Sequence, residues 1–89
     1  MNSAKFIVSG KVQGVFFRAA TRTQALQLGL TGYAKNLDDG SVEIIATGSN
    51  EQLVLLEKWL WIGPPAAVVE DVKRLSLTNI EPRSGFATL

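Results

Sequence analysis

Residues 31–47, TGYAKNLDDGSVEIIAT, lie near the middle of the chain and set the arrangement of the segments around them. The stretches 31–37 and 41–47 contain the β-branched and aromatic residues that are typical of strands. Between them, Asp38, Asp39 and Gly40 are residues that favour a tight turn. Two strands joined by so short a link predict an antiparallel β-hairpin.

The segment before the hairpin predicts a first strand and a first helix. Residues 5–10 contain a short apolar run, and residues 17–28 carry apolar or small side chains at helical spacing. Gly29 suits the left-handed position that commonly follows a helix. The loop that joins this strand to this helix is KVQGV, residues 11–15.

The segment after the hairpin predicts a second helix. Ser49 and Gln52 have the spacing of a capping box at its start. Three leucines at helical spacing form its buried stripe: Leu53, Leu56 and Leu60. The sequence GPP at residues 63–65 ends it, because proline cannot continue a helix.

Residues 66–77 predict a fourth strand, in which the three-residue spacing of Val69 and Val72 indicates a β-bulge. Residues 79–85 are expected to form a loop and residues 86–89 a short final strand. The resulting order, βαββαβ, predicts a ferredoxin-like α+β sandwich, in which two helices cover one face of an antiparallel sheet. A chain of 89 residues corresponds to a single domain, residues 1–89.

The composition excludes several kinds of chemistry. The chain has no cysteine and no histidine, which removes disulfides, thiolate nucleophiles, Ser-His-Asp triads and the usual zinc ligands. Nine basic and eight acidic side chains nearly cancel, so we expect no nucleic-acid partner. No segment has the roughly 20 apolar residues needed to cross a membrane, and the N-terminal residues lack a signal-peptide core. We therefore expect a cytoplasmic protein with no membrane association.

The loop that leads into the first helix, KVQGVFFR at residues 11–18, has the features of an anion-binding site. Gly14 permits a positive φ and lets a ligand approach the backbone, and the N–H groups from Gly14 to Arg18 can converge on one anion. Arg18 lies in the first helical turn, where a bound anion would relieve its unfavourable interaction with the helix dipole. The alternatives are an ordinary glycine turn and a solvated surface arginine.

Asn36 and the acidic pair after it carry little information by themselves. An asparagine before a hairpin turn usually bonds its local backbone. Asp38 and Asp39 are most simply turn residues, although paired carboxylates can also bind a metal. Lys11 and Lys35 are expected to be solvated surface charges.

Together, KVQGVFFR and GYAKNLDDGSVE resemble the two signatures of the acylphosphatases, which run approximately GxVQGVxFR and GxxxNxxDGxV. The first pattern is matched by Gly10, Val12, Gln13, Gly14, Val15, Phe17 and Arg18. The second is matched by Gly32, Asn36, Asp39, Gly40 and Val42. The resemblance covers nearly the whole chain. It implies the ferredoxin-like sandwich and the metal-independent hydrolysis of the carboxyl–phosphate bond of acyl phosphates, with no cofactor.

The resemblance also implies a site for this reaction. The phosphate cradle maps onto five backbone positions: Gly14, Val15, Phe16, Phe17 and Arg18. The Arg18 guanidinium would bind the phosphoryl oxygens as well, and Asn36 would orient the attacking water in line with the leaving carboxylate. No phosphoenzyme and no metal are expected, and the substrate phosphate itself is a candidate proton acceptor.

Two other functions are open on this fold. RNA-binding RRM domains share the βαββαβ order but present aromatic residues from the central strands, and the third strand here, SVEIIAT, has none. A catalytically silent regulatory or interaction domain is the other alternative. The second helix, EQLVLLEKWLWIG, is apolar on more than its core stripe, so that Trp61 and its neighbours could mediate weak self-association of an otherwise monomeric protein.

Overall fold

The computed structural model describes residues 1–78 and 84–89, which form a five-stranded sheet covered on one face by two helices. The strands are β1 (Asn2–Lys11), β2 (Thr31–Asn36), β3 (Val42–Gly48), β4 (Val68–Leu77) and β5 (Phe86–Thr88), and the helices are α1 (Phe17–Gln27) and α2 (Asn50–Ile62). The predicted ferredoxin-like sandwich is confirmed. Most of the loop expected at residues 79–85 lies outside the described residues, which omit 79–83.

The sheet is mixed, with the strand order β4-β1-β3-β2-β5. β1 pairs antiparallel with β3 and β4, and β2 pairs antiparallel with β3, as the predicted hairpin requires. β5 runs parallel to β2, with Gly32 opposite Phe86 and Ala34 opposite Thr88. The prediction of a wholly antiparallel sheet is therefore wrong at this edge, because three residues of β5 carry no sequence signal for direction or partner.

The predicted bulge in β4 is confirmed. Ser9 pairs with Asp71 and Gly10 with Val69, so that Glu70 is the additional residue on β4. Gly10 has φ 121°, and a Cβ there would lie 2.2 Å from the carbonyl oxygen of Val68. Only glycine allows this approach. The irregularity lies at the end of β1 that leads into the loop before α1.

The core lies between the sheet and the two helices. β1 contributes alternate side chains to it: Ala4, Phe6 and Val8. The predicted helical stripes also face the core and are buried: Phe17, Thr21 and Ala25 from α1, and Leu53, Leu56 and Leu60 from α2. The rings of Phe17 and Trp59 lie 5.8 Å apart between centroids, which joins the two helices directly. The buried face of α1 therefore holds the helix against the sheet, and Phe17 does so directly after the loop that leads into α1.

The two helices begin in different ways. The Ser49 hydroxyl accepts from the Gln52 N–H, and the Gln52 side chain accepts from the Ser49 N–H, so that the predicted capping box of α2 is confirmed. At the start of α1, Phe16 offers no side-chain cap, and the first turn has no acidic residue. Within residues 1–78 and 84–89, the N-terminal donors of α1 therefore have no side-chain acceptor. Neither helix, among the residues described, is long and apolar enough to span a membrane.

Candidate active site

The loop between β1 and α1 turns sharply through two residues in the left-handed region. Gly14 has φ 73° and Phe16 has φ 64°, and Phe16 is the only non-glycine residue with positive φ in the described part of the chain. A Cβ at Gly14 would meet no atom within 4 Å, so glycine is needed here for the backbone conformation and not for close packing. Successive N–H groups in such a loop can point into one concavity.

The N–H groups of this loop are available to a ligand. Among residues 1–78 and 84–89, no backbone or side-chain group accepts a hydrogen bond from the N–H groups of positions 14–18. The helical bonding pattern starts only when Ala20 donates to the carbonyl of Phe16. Unbonded N–H groups at the start of a helix attract an anion, because the helix dipole adds to their partial charge. The five predicted cradle positions are thus brought together in one turn.

A cleft of about 310 Å³ lies beside the loop and contains both predicted site segments. Its lining includes Val12, Phe16, Phe17, Arg18, Asn36 and Thr88. Arg18 is the only charged side chain that lines it in the part of the chain that the structure describes. The cleft is therefore a place where one anionic group can meet both the loop and Asn36.

Arg18 lies in the first turn of α1, as predicted, and is partly buried. Its Nη1 donates to the main-chain oxygen of Leu89 at 2.6 Å. This bond holds the guanidinium at the cleft and leaves its other N–H donors for a ligand. One turn later, Arg22 Nε donates to the carbonyl oxygen of Phe86 at 2.9 Å. Helix α1 is thus hydrogen-bonded both to Phe86, the first residue of β5, and to Leu89, the residue that follows β5.

Asn36 is the last residue of β2, and it lines the cleft. Its Oδ1 is buried and has no hydrogen-bond partner among the residues described. The local backbone bond expected of an asparagine before a turn is therefore not made by this oxygen. An unpaired buried acceptor costs roughly 1–3 kcal/mol. A ligand or water that donates to Oδ1 would remove this cost.

Gln13 connects the two site segments. Its Nε2 donates to the carbonyl oxygen of Leu37 at 2.8 Å and to that of Ser41 at 2.9 Å. Leu37 directly follows Asn36, so the side chain joins the cradle loop to the hairpin turn. The sequence alone placed Gln13 only in the loop and in the first of the two signatures. The link was missed because its acceptors are 24 and 28 residues away in the sequence.

The acidic residues of the hairpin belong to the turn. The Asp39 carboxylate accepts from the hydroxyl and the N–H of Ser41. These two bonds lower the pKa of Asp39 below its ordinary value, and the bond from the hydroxyl has the larger effect. No group of three or more His, Cys, Asp or Glu side chains that could hold a metal ion occurs in the described residues. Lys11 and Lys35 are exposed, as expected.

Two residues at the cleft were not predicted as part of the site. Thr88 lines it, and Leu89 accepts the hydrogen bond from Arg18. Both reach the cleft because β5 pairs in parallel with β2, where the Leu89 N–H also donates to the carbonyl of Ala34 at 2.7 Å. No local sequence signal could have placed them there.

Comparisons with known proteins give a consistent result over nearly the whole chain. The family model described as Acylphosphatase matches residues 4–88. The curated Acylphosphatase of Xanthomonas oryzae pv. oryzae is 53% identical over 88 residues, which are 99% of this chain and 99% of that protein. A solved structure of an acylphosphatase from Coxiella burnetii is 43% identical with a TM-score of 0.94, over 99% of this chain and 92% of that one. The crystal structure of acylphosphatase from Bacillus subtilis is 34% identical with a TM-score of 0.96, over 100% and 99%.

Proposed function

The chain belongs to the acylphosphatase family and hydrolyses acyl phosphates to a carboxylate and phosphate, and we propose that the cleft between α1, β2 and β5 carries out this reaction. One observation carries the proposal. The lining of the cleft includes loop residues whose N–H groups are unbonded within residues 1–78 and 84–89, the Arg18 side chain, and Asn36, whose buried Oδ1 has no partner in that part of the chain. The N–H groups and the guanidinium fit a phosphoryl group, and Oδ1 fits a water molecule.

The phosphoryl group is bound by the N–H groups of positions 14–18 and by the Arg18 guanidinium. Hydrogen bonds to charged groups contribute roughly 1.5–3 kcal/mol each, so several of them can hold the group without a metal. The donors belong to a turn and a helix that are already folded. They therefore need little reorganisation when charge develops on the equatorial oxygens in the transition state.

Asn36 orients the attacking water. Its Oδ1 accepts an O–H of the water and holds the oxygen in line with the leaving carboxylate. The water oxygen bonds to phosphorus while the bond from phosphorus to the carboxylate oxygen breaks, and a phosphoryl oxygen takes the proton. Because the carboxylate leaves readily, this route needs no protein nucleophile, which agrees with a chain that has no cysteine and no histidine.

A silent regulatory domain on the same fold explains less. It would give no reason for a start of α1 that has no side-chain cap among the described residues, nor for a buried Asn36 acceptor that has no partner among them. Both features are unfavourable in a domain that binds nothing. They support the catalytic site over the alternative.

Steady-state hydrolysis of benzoyl phosphate tests the proposed roles. We expect Arg18→Ala to raise KM and lower kcat, with a fall in kcat/KM of about 100-fold or more. Asn36→Ala should lower kcat by about 100-fold and change KM little, because Asn36 contacts the water and not the phosphoryl group. Lys35→Ala is the matched control, since Lys35 is exposed beside Asn36 and should not affect activity.

The same assay can contradict the proposal. Near wild-type turnover by an Arg18→Ala variant that is folded by circular dichroism would rule out this cleft as the site. A chelator should leave kcat/KM unchanged, because no step uses a metal. Inhibition by the chelator would favour a metal-dependent route instead.

We also propose that residues 1–89 form one domain that acts in the cytoplasm as a monomer, without nucleic acid. The family match over residues 4–88 supports a single domain, and the net charge of +1 supports the absence of a nucleic-acid surface. Cell fractionation with an antibody to the native protein would test the location. A gel-shift assay with RNA would test the absence of nucleic-acid binding.

A further inference from the structure

Phe16 combines two features that are unfavourable for an aromatic residue. Its side chain is 83% exposed, and its backbone has φ 64° and ψ 23°. Bulky residues rarely adopt the left-handed region, where glycine or asparagine would be favoured. The ring also lies outside the hydrophobic core cluster, so packing in the core does not offset the cost of exposing it. Such strained positions are concentrated at functional sites.

Phe16 lies next to the proposed position of the substrate. Its own N–H belongs to the proposed phosphate cradle, and the residue lines the cleft. A phosphoryl group bound to the cradle therefore lies within one side-chain length of the ring. The acyl group, which is bonded to that phosphoryl group, must extend from the cradle into the cleft.

The other residues of the cleft do not favour a charged acyl group. Val12 and Phe17 are apolar, and Thr88 is neutral. Arg18 is the only charged side chain in the lining that the structure describes, and the phosphoryl group occupies it. A second negative charge on the acyl group would therefore have no cationic partner among these residues.

We propose that Phe16 is a specificity-determining residue whose ring contacts the acyl group, and that the cleft prefers acyl phosphates with an aromatic or apolar, uncharged acyl group. The inference rests on the proposed function, because the place of the acyl group follows from that of the phosphoryl group. An aromatic acyl group can pack against the ring in an offset or edge-to-face arrangement, whereas a methyl group offers little surface.

The kcat/KM values of two variants for benzoyl phosphate and acetyl phosphate test this contact. Asparagine tolerates the left-handed conformation, so Phe16→Asn removes the ring without straining the loop. We expect the fall in kcat/KM to be about tenfold larger for benzoyl phosphate than for acetyl phosphate. Leu55→Asn is the second variant and the control, because it removes an exposed apolar side chain that does not line the cleft, and it should keep both values near those of wild type.

The charge preference has its own matched pair of substrates. Butyryl phosphate and succinyl phosphate have acyl chains of the same length, but the second ends in a carboxylate. We expect wild-type kcat/KM to be at least about tenfold lower for succinyl phosphate, because the described lining offers that carboxylate no cationic partner besides Arg18, which the phosphoryl group occupies. Equal values would overturn the preference for uncharged acyl groups.

Failure of this inference differs from failure of the proposed function. Equal losses on benzoyl and acetyl phosphate in Phe16→Asn would mean that Phe16 acts only through the loop backbone, and no loss on either would mean that the ring makes no contact. Both results overturn the inference while leaving the site intact. Retained activity of Arg18→Ala would instead contradict the proposed site itself.

Discussion

Three residues of the cleft are in unfavourable environments, and a bound ligand would improve two of them. Phe16 has a left-handed backbone, which costs a non-glycine residue roughly 1–2 kcal/mol. Asn36 has a buried, unpaired acceptor among the residues described, and Arg18 places a positive charge at the start of a helix. The rest of the fold must hold these residues in place. An anion with an adjacent water would improve the environments of Arg18 and Asn36, which is why we assign binding to this cleft.

Asp39 should give the hairpin turn a dependence on pH. The hydrogen bonds from Ser41 lower its pKa below 3.8 in the folded protein. A lowered pKa in the folded state contributes stability above the unfolded pKa, and this contribution is lost as the pH falls through the folded pKa. We therefore expect Asp39→Ala to have a lower urea midpoint than wild type at neutral pH. The difference should close as the pH falls below 3.8.

Asp38→Ala is the matched control for this titration, because Asp38 is an exposed neighbour in the same turn. Its urea midpoint should follow that of wild type more closely than Asp39→Ala does at neutral pH. A difference between wild type and Asp39→Ala that persists to about pH 2 would show that the carboxylate charge is not the cause.

The site is a junction of elements that are far apart in the sequence, and few side-chain bonds hold it. Gln13 joins the cradle loop to the hairpin turn, and Arg22 and Arg18 join α1 to the C-terminal edge of the sheet. These bonds connect the segments that carry the proposed phosphate cradle and Asn36. Loss of the Gln13 or Arg22 bonds should therefore affect catalysis, although neither side chain is proposed to contact the substrate.

Gln13→Met tests the link between the cradle loop and the hairpin. Methionine has a similar length but no donor, so two hydrogen bonds are lost, and we expect the free energy of unfolding to fall by about 1–2 kcal/mol. Because Asn36 is then less well positioned against the cradle, kcat for benzoyl phosphate should fall several-fold, with a smaller change in KM.

Ser49→Ala is the control for this variant. It removes the cap of α2, far from the cleft, and should cost about 1 kcal/mol of stability while kcat stays unchanged. If Gln13→Met also kept the wild-type kcat, the proposed positioning by Gln13 would be wrong.

Arg22→Ala tests how α1 holds β5. The variant loses the bond from Arg22 Nε to the carbonyl of Phe86, which is worth about 1 kcal/mol. We expect faster hydrogen exchange of the Leu89 amide, which bonds Ala34, by roughly fivefold through local opening. Thr23→Ala, on the exposed side of α1, should not change this rate. A general rise in exchange that includes β3 would indicate global destabilisation instead.

On the surface of the molecule, α2 exposes apolar side chains that do not line the cleft. Leu55, Trp61 and Ile62 are 50%, 47% and 72% exposed. We expect a monomer at micromolar concentration and, at high concentration, a rise in apparent mass by light scattering that is smaller in Trp61→Lys. Identical behaviour of the two proteins would exclude this surface. Activity should be the same in both, because the cleft is formed by other elements.

Much of the architecture could be predicted from local patterns in the sequence. The two helices, the hairpin and the bulge in β4 follow from spacing and turn residues, and the capping box at Ser49 is formed as predicted. The turn at Gly14 and the place of Arg18 in the first turn of α1 could also be predicted, because both depend on residues within a few positions of each other, whereas anion binding by this loop stays a prediction. The absence of cysteine and histidine restricted the chemistry without any structure.

Other features depend on contacts between distant parts of the chain. Four of them leave no periodic signal in the sequence. They are the parallel pairing of β5 with β2, the link from Gln13 to the hairpin, the presence of Thr88 at the cleft, and the Oδ1 of Asn36 that has no partner among the residues described. Each arises only when the helices pack on the sheet and bring segments more than 20 residues apart together. Local propensity fixes the elements and the loop before α1, whereas packing between elements brings Asn36 to the same cleft as that loop.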